Sequence, residues 1–180
     1  MYNWTEYLMF IKNPYNPCSR FTEKGILAKL KRTPGTLKYI NDPTEEMILT
    51  TLAKDGLALR WVKNKTKKYC KVALHQNGLA LQYIPVITRD LIVIALRSNG
   101  AAIAFIDQSD TMLVKIALAD NGLNLQYVKN KTNEICEFAV EQNGLALQFV
   151  EDQTEPIVLK AIKSNPDSKK FVDDIFLYLL

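Results

Sequence analysis

The residues with the most chemistry to offer are five lysines within nine positions, Lys63, Lys65, Lys67, Lys68 and Lys71. Ammonium groups at that density neutralise phosphates, so they are candidate contacts for nucleic acid or for an anionic membrane surface. The plainer reading is a solvated loop edge, because no exposed aromatic partner to the lysines is evident. The basic character also stops halfway. Residues 1–90 carry 15 Lys and Arg against 7 Asp and Glu, whereas residues 91–180 carry 8 against 12. Opposite charge at the two ends favours head-to-tail self-association. The apolar tail Ile175, Phe176, Leu177, Leu179 and Leu180 is placed either to cap its own last unit or to dock on a partner.

Other reactive side chains give less. His75 is the only histidine, and without a second one the recurring zinc constellations cannot be built within one chain. Its register is shared by Ala53, Arg97, Ala119, Glu141 and Lys163, which reads as solvent-facing and suits a polar side chain near the negative end of a helix dipole. Cys70 and Cys136 share one register at a separation of 66 residues. At roughly 8–10 Å per packed layer that is beyond disulfide reach, so both read as small core residues. Cys18 falls outside that pattern as a lone thiol. This cysteine usage points to a reducing compartment, and the cytoplasm is expected. The acids Glu151, Asp152 and Glu155, like Asp173 and Asp174, are neighbours on the chain rather than groups converging from separate elements, and they read as a solvated face. No phosphate-binding glycine motif is present. No catalytic residue, metal ligand or cofactor is assigned, and an enzyme is not expected.

What positions all of these residues is a repeat. Thr22, Thr44, Thr66, Thr88, Asp110, Thr132 and Thr154 recur every 22 residues, and twelve residues after each comes Pro34, Gly56, Gly78, Gly100, Gly122, Gly144 or Pro166. Proline in the two outer units is expected of units that cap an array. The segment after each threonine reads as a helix of about three turns, capped by Thr or Asp and closed by Asn-Gly or Asp-Gly. Ala73, Ala95, Ala117, Ala139 and Ala161 hold one register, which marks a place where helices approach closely. After each glycine comes a second element, as in Leu79-Ala80-Leu81-Gln82-Tyr83-Ile84. A strand there would make a leucine-rich-repeat-like α/β solenoid, and a helix would make an all-α solenoid of about seven two-helix units. Leu, Ala, Gln and Arg favour the helix. A lone unit cannot offset the roughly 1.5 kcal/mol per residue that ordering costs, so units must stack. The aromatic column Tyr39, Trp61, Tyr83, Phe105, Tyr127, Phe149 and Phe171 is expected to run through the core. The domain plan is an N-terminal cap over 1–21, a seven-unit array over 22–166 and a C-terminal cap helix over 167–180. With 48% apolar and 23% charged residues the 180-residue chain has globular balance. No apolar run approaches the roughly 18 residues of a membrane span, and Met1–Phe10 lacks the basic start of a secretory leader.

The unit Asn121-Gly122-Leu123-Asn124-Leu125-Gln126-Tyr127-Val128-Lys129-Asn130-Lys131-Thr132, followed by Ile135-Cys136 and Ala139-Val140-Glu141-Gln142-Asn143-Gly144, resembles a repeat family abundant in giant viruses of amoebae, catalogued as a domain of unknown function. The resemblance covers residues 22 to 172 or so. It implies a helical repeat array, virus-encoded and acting in the host cytoplasm, and carries over no catalytic or binding residues. The chain departs from the phrase at Pro85-Val86-Ile87 and at Asp107-Gln108-Ser109.

Together these features point to a non-enzymatic protein-protein interaction scaffold whose protein partner is not specified, with nucleic acid or an anionic surface as the alternative. Lys38, Arg60, Gln82, Gln126, Gln148 and Lys170 stay polar amid apolar neighbours, apart from Ala104, and would line one face. Lys63, Lys65, Pro85, Val86 and Ile87 lie along a loop edge that varies from unit to unit and would encode partner choice.

Overall fold

The computed structural model describes residues 22–179. Cys18, Leu180 and the segment 1–21 read above as a cap lie outside the described residues. The described chain is all-α, and every unit is a helix pair, which settles the choice between strand and helix after each glycine. It divides into two compact units, Met1–Pro85 and Val86–Leu180. The first holds α1 (Glu23–Arg32), η1 (Pro34–Tyr39), α2 (Glu45–Lys54), η2 (Gly56–Trp61), α3 (Lys67–Gln76) and η3 (Gly78–Tyr83). The second holds α4 (Arg89–Ser98), η4 (Gly100–Phe105), α5 (Thr111–Asp120), η5 (Gly122–Tyr127), α6 (Asn133–Gln142), η6 (Gly144–Phe149), α7 (Glu155–Ser164), η7 (Pro166–Phe171) and η8 (Asp174–Leu179). Within each unit successive α-helices pack on one another and so do successive η helices. Because Pro166–Phe171 is the second helix of the seventh pair, the array continues past 166, and among the described elements only η8 lies beyond it.

The α-helices begin where the threonine column predicts. Thr22, Thr44, Thr66 and Thr132 each accept a backbone N–H three residues on, at 3.3–3.4 Å. Each helix lasts ten residues. All but the first, which ends at Thr33, end at an Asn or Asp that serves two helices at once. The backbone N–H of Asn77 donates to the Ala73 carbonyl at 2.8 Å, while its side chain accepts from Leu79 at 3.0 Å and opens η3. Asp55, Asn99, Asn121, Asn143 and Asn165 do the same.

The second helices are six-residue 3₁₀ turns closed by bonds to the third residue back, such as Ala80 to Asn77 and Ile84 to Leu81. Three residues per turn put positions i and i+3 in one row. One row, Gly78, Leu81 and Ile84, is buried; a second, Leu79 and Gln82, leads to solvent. Leu37, Leu59 and Leu81 are no more than 1% exposed in the first unit, and Ile103, Leu125 and Leu147 form the matching row in the second. Each such side chain contributes about 1.5–3 kcal/mol of burial.

The repeat glycines are explained by contact rather than by turn conformation. None of the described glycines has a positive φ, so the helices are not closed by a left-handed glycine cap. A Cβ on Gly56 would lie 2.2 Å from the Ala73 carbonyl oxygen of the next pair, and Gly122 and Gly144 stand equally close to Ala139 and Ala161. The alanine column is the other half of that approach, and Ala73, Ala117, Ala139 and Ala161 are fully buried.

Candidate interaction face on the 3₁₀ helices

The 3₁₀ geometry places one exposed residue, polar everywhere but at Ala104, and one aromatic residue at the outer end of the second helix of each pair. In the first unit Lys38, Arg60 and Gln82 are exposed, and beside them stand Tyr39, Trp61 and Tyr83. In the second unit the exposed places are Ala104, Gln126, Gln148 and Lys170, beside Phe105, Tyr127, Phe149 and Phe171. The aromatic column therefore does not run through the core as periodicity predicts. Its members are partly exposed, with Tyr39 at 37%, Phe105 at 40% and Tyr127 at 39%. The inner seat goes to the following aliphatic residue, Val62 or Ile84 in the first unit and Ile106, Val128 or Val150 in the second, because the 3₁₀ row carries the leucine inward and the aromatic to the rim.

These side chains are held in place. The Lys38 ammonium sits 4.6 Å from the Tyr39 ring centre, Arg60 lies 4.2 Å from Trp61, and Lys170 lies 5.0 Å from Phe171. Exposed cation–π contacts of this kind are worth about 0.5–1 kcal/mol each. The glutamines are fixed differently. Gln82, Gln126 and Gln148 each donate an amide N–H to the carbonyl three residues back, at 3.0, 3.2 and 2.9 Å. An amide so anchored still offers one N–H and a carbonyl oxygen, the pair that an extended backbone needs. Between η1 and η2 lies an open cleft of about 400 Å³ lined in part by Gly35, Thr36, Lys38, Tyr39, Arg60 and Trp61.

Three of the clustered lysines are engaged within their own unit. Lys68 pairs with Glu45 at 2.6 Å, and that carboxylate raises the Lys68 pKa. Lys63 donates to the Asn41 carbonyl at 3.2 Å and Lys65 to the Val62 carbonyl at 2.8 Å. Lys67 and Lys71 are not free either. Pro85, Val86 and Ile87 are exposed, Val86 at 74%, and the division between the two units falls inside this departure from the repeat phrase.

Of the weaker candidates, His75 and its register mates Ala53, Arg97, Ala119, Glu141 and Lys163 are all exposed, as expected. Cys70 and Cys136 are buried free thiols, and burial pushes both pKa values up, away from a reactive thiolate. Glu151 pairs with Lys131 at 3.0 Å, and Glu155 accepts from the Tyr178 hydroxyl at 3.3 Å. Among the described residues no three His, Cys, Asp or Glu side chains are grouped to hold a metal, and no helix is long and apolar enough to cross a membrane.

Sequence reasoning missed the clasp between neighbouring pairs. The last side chain of an α-helix reaches back to the repeat glycine of the pair before it. Gly56 N–H donates to Gln76 at 2.6 Å, Gly100 to Asp120 at 2.9 Å and Gly144 to Ser164 at 3.1 Å. The signal was faint, since Gln, Asp and Ser share only the ability to accept. The buried Asn124, at a place that is alanine in four other units, was likewise overlooked.

Comparison with protein-family models, with curated proteins and with solved structures finds no match.

Proposed function

We propose that this chain is a non-enzymatic protein-protein interaction scaffold that holds an extended segment of a partner along the outer ends of neighbouring 3₁₀ helices within a unit. The observation that carries the reading is the recurrence, at one register, of an anchored glutamine amide beside a partly exposed ring. Gln82 in the first unit, and Gln126 and Gln148 in the second, repeat that arrangement. The amide meets a backbone peptide group and the ring meets a side chain, so neighbouring pairs within one unit, as at Gln126 and Gln148, suit successive stretches of an extended chain. Lys38, Arg60 and Lys170 add cations at the same register, and Pro85, Val86 and Ile87 add an exposed loop edge. In keeping with the resemblance in its repeat phrase, the scaffold is virus-encoded and its partner is a host or viral protein of the cytoplasm.

Capture from amoebal host lysate tests this, with and without nuclease, using the native chain and a Gln82→Ala, Gln126→Ala, Gln148→Ala variant in parallel. A discrete protein retained after nuclease treatment by the native chain and lost by the variant is the expected result. A partner held equally by both would contradict the assigned face. Binding that disappears with nuclease, and falls when Lys67 and Lys68 are neutralised, would transfer the function to nucleic acid.

A further inference from the structure

We propose that the cleft between η1 and η2 receives the Asp173–Leu179 segment of a second copy of this chain, an inference that rests on the interaction role argued above. Among the described residues the only charged groups lining the cleft are Lys38 and Arg60, and each is laid over the face of its neighbouring ring. An occupant must therefore bring carboxylates next to apolar side chains. Asp173 and Asp174 are exposed and make no ion pair among the described residues. Directly after them Ile175, Leu177 and Tyr178 are 73%, 50% and 69% exposed. That is more apolar surface than any other short described segment offers to water, and it carries the charge the cleft lacks.

Two carboxylates set against two cations fix the register, and the apolar side chains of η8 leave water against Tyr39 and Trp61. The two surfaces are different patches of the same chain, so the contact is heterologous. A heterologous contact does not saturate at a dimer unless the rotation closes a ring.

Light scattering of the full chain over a concentration series tests the proposal. An interface this small belongs with weak contacts, so the average mass should rise above the 20.5 kDa of one chain between about 1 and about 100 μM. The reversals Lys38→Glu with Arg60→Glu, and separately Asp173→Lys with Asp174→Lys, should each weaken association by about tenfold or more. All four in one chain should restore it. These side chains are exposed, and an unchanged far-ultraviolet circular dichroism spectrum confirms that each variant is folded. A chain of constant single-copy mass, or an association that both reversals leave intact, overturns the proposal. Occupation of the cleft by residues 1–21 of the same chain would give that first result. A single-copy chain that still captured a protein through Gln82, Gln126 and Gln148 would remove the self-docking alone and leave the interaction role standing.

Discussion

Gly122 lies so close to Ala139 of the following pair that a Cβ on the glycine would stand 2.2 Å from the alanine carbonyl oxygen. The contact is backbone against backbone, so no side chain can swing aside to make room. Two columns of the repeat, glycine and alanine, thus have one cause: the spacing between adjacent pairs.

Gly122→Ala should therefore destabilise the chain by about 3 kcal/mol, at the upper end of what overpacking costs. Gly25 is the contrast. It is exposed in the first turn of α1, and its added Cβ would meet only the Thr22 hydroxyl, at an ordinary 3.6 Å. Gly25→Ala should stabilise by about 0.5–1 kcal/mol through backbone entropy. Denaturant midpoints of the two variants check the pair.

Helix capping gives a second internal comparison. Thr132 accepts from the Ile135 amide, whereas Thr154 at the same register makes no capping bond. Thr132→Ala should cost about 1 kcal/mol, and Thr154→Ala a few tenths at most. Equal losses would mean that the threonine column serves something other than capping.

Asn124 donates its side-chain N–H to the Ala117 carbonyl at 2.9 Å, and the backbone bond from Asn121 to that oxygen is stretched to 3.5 Å. The matching backbone bonds at Asn77 and Asn143 are 2.8 and 3.0 Å. Asn124→Ala should cost no more than about 1 kcal/mol, because the backbone amide can close on the freed carbonyl. Asn124→Asp sets a buried acceptor against an acceptor and should cost about 2–3 kcal/mol. Thermal unfolding distinguishes the two.

The Arg89 side chain donates to Asp110, and together with the Met112 amide it holds that carboxyl below the usual aspartate range. A lowered folded-state pKa means that the contribution is complete above the unfolded value of about 3.9 and is lost as pH falls below it. Arg89→Ala should move the Asp110 titration upward, read by carboxyl-carbon NMR, and should shrink the loss of stability on acidification. An unmoved titration would show that the pair does not form in solution.

Much of the architecture was legible because its causes repeat. The threonine, asparagine, glycine and alanine columns each answer to a local requirement, a cap, a link or a close approach, that recurs every 22 residues. The aromatics were misplaced for a reason equally local. Leu79, Leu81 and Tyr83 alternate as a strand does, and only three residues per turn sends Leu81 inward and leaves Tyr83 at the rim. The polar register of Lys38, Arg60 and Gln82 was readable because solvent exposure is all it required. The ring contacts and the glutamine anchors beside it depend on where the backbone ends, which composition does not reveal.

The most direct test of the interaction face is site-specific photocrosslinking to the captured partner. A photoreactive side chain is placed in turn at Gln126 and Gln148 on the 3₁₀ helices, and at the exposed positions Ala119 and Glu141 near the α-helix ends. Crosslinks from Gln126 and Gln148, and none from Ala119 or Glu141, are the predicted result. Crosslinks confined to Ala119 and Glu141 would contradict it and move the site to the ends of the α-helices.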